Sequence, residues 1–133
     1  MTVLADTGSS KAEKTNRSFG YYINSIKEKI SVLNFVGQSK KAISLAEKFY
    51  LKASEINNEK LLGNANLIFC TLWKSLGDYK KLEKYAKAGM VNFESVGNPE
   101  GFLNCMTQLG YAQSRVGDNI KAMEIYEKCL RLY

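Results

Sequence analysis

Cys70, Cys105 and Cys129 carry side chains that could serve as nucleophiles or metal ligands, and the sequence contains no histidine to work beside them. Histidine is the usual general base near neutral pH, the usual activator of a Ser or Cys nucleophile and the commonest metal ligand. Without it, enzymatic activity starts at a disadvantage, and no catalytic residue, metal site or cofactor is assigned. The cysteines form no close metal-type pair, and each falls at an apolar position of a helical pattern. They read as buried thiols in a reducing compartment. The paired carboxylates Glu124 and Glu127 stand at i, i+3, and Glu124 and Lys128 at i, i+4, a spacing that suits surface ion pairing better than acid–base work. No glycine loop that could cradle a phosphate and no ligand cluster is present.

The elements that must position these residues are helices. One proline and ten glycines in 133 residues leave few backbone breakers, and 45% hydrophobic with 24% charged residues is the balance of a single globular domain with a core. No run approaches the ~20 apolar residues needed to cross a bilayer, and the opening Met1 to Ser10 is too weakly apolar for a secretory signal. The expected location is cytoplasmic, without membrane insertion. A net charge of +6 suits an acidic partner, but charge of this size bears on steering and solubility more than on identity.

A forty-residue repeat organises the chain. Gly37-Gln38-Ser39-Lys40-Lys41-Ala42 returns as Gly77-Asp78-Tyr79-Lys80-Lys81-Leu82 and again as Gly117-Asp118-Asn119-Ile120-Lys121-Ala122. Before each glycine runs an apolar stripe at helical spacing: Ile23, Ile26, Ile30 and Leu33, then Leu62, Ala65, Phe69, Leu72 and Leu76, then Phe102, Cys105, Leu109, Ala112 and Val116. These form the first, or A, helix of each copy. After each glycine runs another stripe, Ala42, Leu45, Ala46 and Phe49, then Leu82, Tyr85, Ala86 and Phe93, then Ala122, Ile125, Tyr126 and Cys129. These form the B helices.

Each glycine suits the left-handed position that closes a helix, and Asp78 and Asp118 can cap the helix that follows. Gly97-Asn98-Pro99-Glu100 combines a stop, a cap and a proline at the first helical position, and Asn57-Asn58-Glu59 does the same less strongly. Six helices are expected, over 17–36, 39–57, 59–76, 79–96, 99–116 and 119–133. Residues 1–16 show no periodicity and read as a flexible N-terminal arm. The repeats then run over 17–57, 58–97 and 98–133, three tandem antiparallel helix pairs of an all-α protein.

The third copy, with Leu109-Gly110-Tyr111-Ala112, then Gly117-Asp118, then Ala122, Tyr126 and Leu130, resembles the tetratricopeptide repeat, here in a longer form with a forty-residue period. In that family small residues at the Gly110 and Ala122 positions let paired helices approach. The first copy departs from the pattern, with Ile30 at the small position and Lys29 at the usual leucine. The resemblance implies an α-solenoid with a right-handed superhelical twist and a function in protein–protein interaction, peptide binding or scaffolding. It also implies that the A helices line a concave groove.

On that implication the groove residues are Asn24, Lys27, Ser31, Asn64, Leu67, Thr71, Lys74, Asn104, Tyr111 and Arg115. The forty-residue register places Asn24, Asn64 and Asn104 in one column and Ser31, Thr71 and Tyr111 in another. A carboxamide both donates and accepts, so a row of them can bond the backbone of an extended peptide whatever its side chains. Lys27, Lys74 and Arg115 favour an acidic peptide or a terminal carboxylate. The expected partner is a protein or peptide of acidic character.

Two other readings stay open. The chain could be a peptide-sensing segment that controls an effector domain. It could also bind nucleic acid nonspecifically through Lys41, Lys81 and Lys121 on the convex side, although no aromatic residues alternate with these lysines along the sequence as a stacking platform would require, and nucleic acid is not the expected partner. The last helix ends in Cys129-Leu130-Arg131-Leu132-Tyr133 with an apolar face and no polar cap, which fits a fragment of a longer array and equally self-association or docking through that end.

Overall fold

The computed structural model describes residues 8–132, with side chains from residue 20 onward. Six helices follow one another: α1 (Gly8–Phe35), α2 (Ser39–Glu55), α3 (Glu59–Leu76), α4 (Tyr79–Ser95), α5 (Pro99–Arg115) and α6 (Asn119–Leu132). No strand occurs among the described residues. Each helix packs on the next, and α3 also touches α5 directly, so the chain is an all-α solenoid of three helix pairs.

One boundary differs from the sequence reading. The first helix starts at Gly8, inside the segment assigned to a flexible arm, and residues 1–7 of that arm lie outside the described residues. Periodicity of apolar residues detects a helix only where one face is buried. Lys11, Glu13, Lys14, Asn16 and Arg17 supply helix-compatible polar residues without such a stripe.

All five turns close in the same way, because the same backbone need recurs at each. The residue after each closing position donates its N–H back across the turn, from Gln38 to Leu33 at 2.8 Å, Asn58 to Ala53 at 3.1 Å, Asp78 to Trp73 at 3.0 Å, Asn98 to Phe93 at 2.9 Å and Asp118 to Gln113 at 2.9 Å. Gly37, Gly77, Gly97 and Gly117 hold φ between +64° and +93° there, and Asn57 holds +53° in the position that Gly97 fills one repeat later. Asn58, Asp78, Asn98 and Asp118 each accept from the backbone N–H three residues on. Asn57→Gly should therefore raise stability by about 0.5–1 kcal/mol, read as a higher thermal midpoint with unchanged helix content. A lower midpoint would mean that the Asn57 side chain contributes more than its backbone strain costs.

The core runs along the inner faces of the pairs. Ala42, Ala46 and Ala53 of α2 and Ala86 of α4 are fully buried, and their small side chains let the larger Phe49, Phe69, Leu72, Leu82 and Phe93 interdigitate between helices. Leu76 and Val116, expected in the buried stripes, are instead 46% and 56% exposed. Each stands at the end of its helix, immediately before or at the closing turn, where the next helix has already turned away.

Candidate functional site

The helices α1, α3 and α5 carry the residues expected to bind, and the structure gathers six of them into two groups. Lys27 and Ser31 of α1 and Thr71 of α3 share a cleft of about 230 Å³, with Glu28, Asn34, Ile68 and Leu72 also on its walls. Asn34 Nδ2 donates to Ser75 Oγ at 3.1 Å and ties α1 to α3 beside it. Thr71 donates its hydroxyl to Leu67 O at 3.3 Å, and Ser75 donates to Thr71 O at 3.1 Å. Both hydroxyls thus spend their proton on their own helix; Ser75 Oγ accepts from Asn34, and Thr71 Oγ1 keeps its lone pairs for an outside donor.

The second group centres on a ring. Lys74 Nζ of α3 lies 4.1 Å from the centre of the Tyr111 ring, and the Arg115 guanidinium lies 4.9 Å from it. Tyr79 leans on the same ring, with centroids 6.2 Å apart. Such cation–π contacts contribute about 0.5–1 kcal/mol where water reaches them. The Arg115 pKa is pushed up, chiefly by its hydrogen bond with Tyr111 and then by the charges that Tyr111 and Tyr79 would carry if ionised. No carboxylate pairs with Lys74 or Arg115 among the described residues, so both cations are available to an anion from outside.

The asparagine column is not tied together. Asn24 and Asn104 are exposed and Asn64 is half-buried, like Leu67, and no hydrogen bond joins the three among the described residues. The asparagines that do bond are others. Asn66 Nδ2 donates to Asn92 Oδ1 at 2.7 Å, and Asn92 Nδ2 donates to Glu59 Oε2 at 2.8 Å, which fastens α4 to α3 through a chain that is part-buried. Gln113 Nε2 donates to Glu83 Oε1 and fastens α5 to α4.

Sequence reasoning missed Asn34, although it stands forty residues before Lys74 and the same register leads to it. It missed Ser75 and Tyr79 as well, whose part depends on contacts between helices that no spacing rule reports.

The opposite face, made by α2, α4 and α6, holds the larger hollow. A groove of about 610 Å³ runs between α2 and α4 over α3, with Phe69 on its floor, Tyr50 and Tyr85 beside it, and Glu47 and Lys84 on opposite lips. Phe69 stacks on Tyr85 with centroids 4.7 Å apart. The lysines on this face do meet aromatic rings. Lys81 Nζ lies 4.1 Å from the Trp73 ring centre and Lys84 Nζ lies 5.3 Å from that of Tyr85. The absence of alternation along the sequence concealed this, because Trp73 and Lys81 come from different helices. Each ring is already covered by a lysine of the same chain.

Among the described residues no group of three or more His, Cys, Asp or Glu side chains could hold a metal ion, and no helix is long and apolar enough to cross a membrane. Cys70 and Cys105 are both fully buried, and burial pushes each thiol up from 9.0 to about 12. Comparison with known protein families, curated proteins and solved structures finds no match.

Proposed function

We propose that this chain is a binding module of the tetratricopeptide kind, which holds an acidic peptide segment of another protein in the groove lined by α1, α3 and α5. The observation that carries the reading is the pair of cations against Tyr111, Lys74 at 4.1 Å and Arg115 at 4.9 Å, with no carboxylate paired to either among the described residues. An acidic side chain or a terminal carboxylate beside Tyr111 would gain a charge-assisted bond from a cation that the ring holds in place. The cleft beside Lys27, Ser31 and Thr71 lies between two of the same helices, α1 and α3, and among the described residues Asn64 and Asn104 make no side-chain hydrogen bond, which suits them to a peptide backbone. The burial that keeps Cys70 and Cys105 protonated also argues for binding over catalysis, since the thiolate is the nucleophile.

Fluorescence anisotropy with labelled peptides of matched length, one rich in Glu and one rich in Lys, tests this directly. The acidic peptide should bind and the basic one should not. Because each charge-assisted bond contributes about 1.5–3 kcal/mol, Lys74→Glu with Arg115→Glu should weaken acidic-peptide binding by at least roughly tenfold without altering the circular dichroism spectrum. Asn64→Ala with Asn104→Ala should weaken it as well. Equal binding by wild type and the charge-reversed variant would remove the groove from consideration.

A second reading follows from Lys81 over Trp73 and Lys84 over Tyr85, a lysine and aromatic surface on the opposite face. A single-stranded oligonucleotide bound there would lose affinity steeply with added salt and would leave acidic-peptide binding untouched.

A further inference from the structure

A B helix meets the A helix of the following repeat at two joints, where α2 meets α3 and where α4 meets α5, and the forty-residue register gives each residue of those joints a counterpart on α6 or α1. The Tyr50 ring of α2 lies 6.3 Å from the Phe69 ring of α3. Glu83 of α4 accepts from Gln113 of α5, and a Cβ at Gly89 would press on Cys105 of α5. Carried forward along the register, these three places fall on Leu130, Met123 and Cys129 of α6. Met123 and Leu130 are 57% and 77% exposed.

The other half of the joint stands at the opposite end. Leu72 of α3 and Ala112 of α5 are each 1% exposed, whereas Val32, which holds their place on α1, is 59% exposed. Leu61 is 8% exposed and its counterpart Tyr21 is 71% exposed. One end of the stack thus presents the face of a B helix and the other end the face of an A helix that inside the chain fit together.

Lys29 supplies the charge complement. It stands on α1 where α3 has Phe69 and α5 has Leu109, an odd place for an ammonium group. Within the chain, Phe69 forms the floor of a groove with Glu47 on one lip and Ala88 nearby. Two repeats after Glu47 comes Glu127, exposed on α6, and one repeat before Ala88 comes Lys48, exposed on α2.

We infer that this chain associates head to tail with a second copy of itself, α6 of one copy packing on α1 of the next in the register of the two internal joints, with Glu127 set against Lys29 and Lys48. The apolar residues Met123 and Leu130 on one side and Tyr21 and Val32 on the other leave water together, and the ion pair selects the register. Such a contact uses two different surfaces and does not close on itself, so assembly continues past the dimer as concentration rises. The surfaces are separate from the peptide groove, and the inference stands or falls apart from it.

Sedimentation velocity on the whole chain over a concentration series should show the average mass climbing beyond that of a dimer. Val32→Glu and Leu130→Glu alter side chains already exposed in the single chain, so helix content should not change. Each alone should give a monomer, and the two mixed in equal amounts should give a heterodimer, because each keeps the end that the other has lost. Lys29→Glu should weaken association by roughly tenfold, and Glu127→Lys in the same chain should recover part of the loss, with Lys48 still opposing the new lysine. A monomer at every concentration would overturn the inference. So would a mixture of the two variants that stays monomeric, or a Val32→Glu chain that assembles like the wild type.

Discussion

Phe93→Ala is expected to destabilise the folded chain by about 3–5 kcal/mol, the range for truncating a buried aromatic ring. Phe93 is 2% exposed, and its ring lies between two glycines of different helices. A Cβ at Gly63 of α3 would come within 2.8 Å of the ring, and one at Gly101 of α5 would run into it. The single side chain therefore joins three helices, α3, α4 and α5, and the neighbouring backbone cannot easily collapse into the space it leaves. Equilibrium denaturation in urea measures the loss.

A second variant makes the argument sharper. Gly101→Ala should destabilise the wild type, despite the better helix propensity of alanine by about 0.8–1 kcal/mol, because the ring blocks the new methyl. In the Phe93→Ala background the same change should stabilise, since the methyl enters vacated space. Additive effects in that cycle would show that ring and glycine are not in contact.

Alkylation of the folded protein, at a dilution where it is monomeric, should modify Cys129 and leave Cys70 and Cys105 intact. Cys129 is half-buried on α6, while the other two are fully buried and their thiols are pushed from 9.0 up to about 12 by burial, with the neighbouring Cys105 adding to the effect on Cys70 and Lys74 opposing it. That rise leaves roughly a thousandfold less thiolate at a given pH than in an unfolded chain. Intact mass after iodoacetamide treatment should show one adduct in buffer and three in denaturant. Equal rates at all three sites in buffer would contradict the buried positions.

The same shift has a consequence for stability. The folded state keeps these two protons at a pH where the unfolded state has released them, so the contribution is complete below pH 9.0 and disappears as pH rises from there toward 12. Tyr126, whose pKa burial also raises, acts in the same direction. Urea midpoints should fall across that alkaline window, and Cys70→Ala with Cys105→Ala should flatten the fall.

Much of this architecture is legible in the residues, and the part that is not has a definite physical cause. The number of helices, their pairing order and all five turns follow from interactions within a few residues. A glycine that tolerates positive φ ends a helix, an Asp or Asn just beyond it caps the next, and the apolar stripe shows which side is buried. Gly77-Asp78 and Gly117-Asp118 carry that information in two letters each, and the forty-residue register repeats it. The start of α1 was not legible, because residues 8–19 carry no apolar stripe at helical spacing to leave a periodic trace.

Contacts between helices were decided only in the tertiary structure. The places of Lys74, Tyr111 and Arg115 on one face could be named from spacing, but that the two cations flank the ring depends on how far α5 is set along α3. Likewise Phe93 sits between Gly63 and Gly101 because of where α4 crosses its neighbours, and Asn66, Asn92 and Glu59 meet through the same crossing. Those offsets are set by the volumes of side chains on both helices at once, Ala86 and Gly89 against Phe69 and Cys105, and no local window of sequence contains both sides.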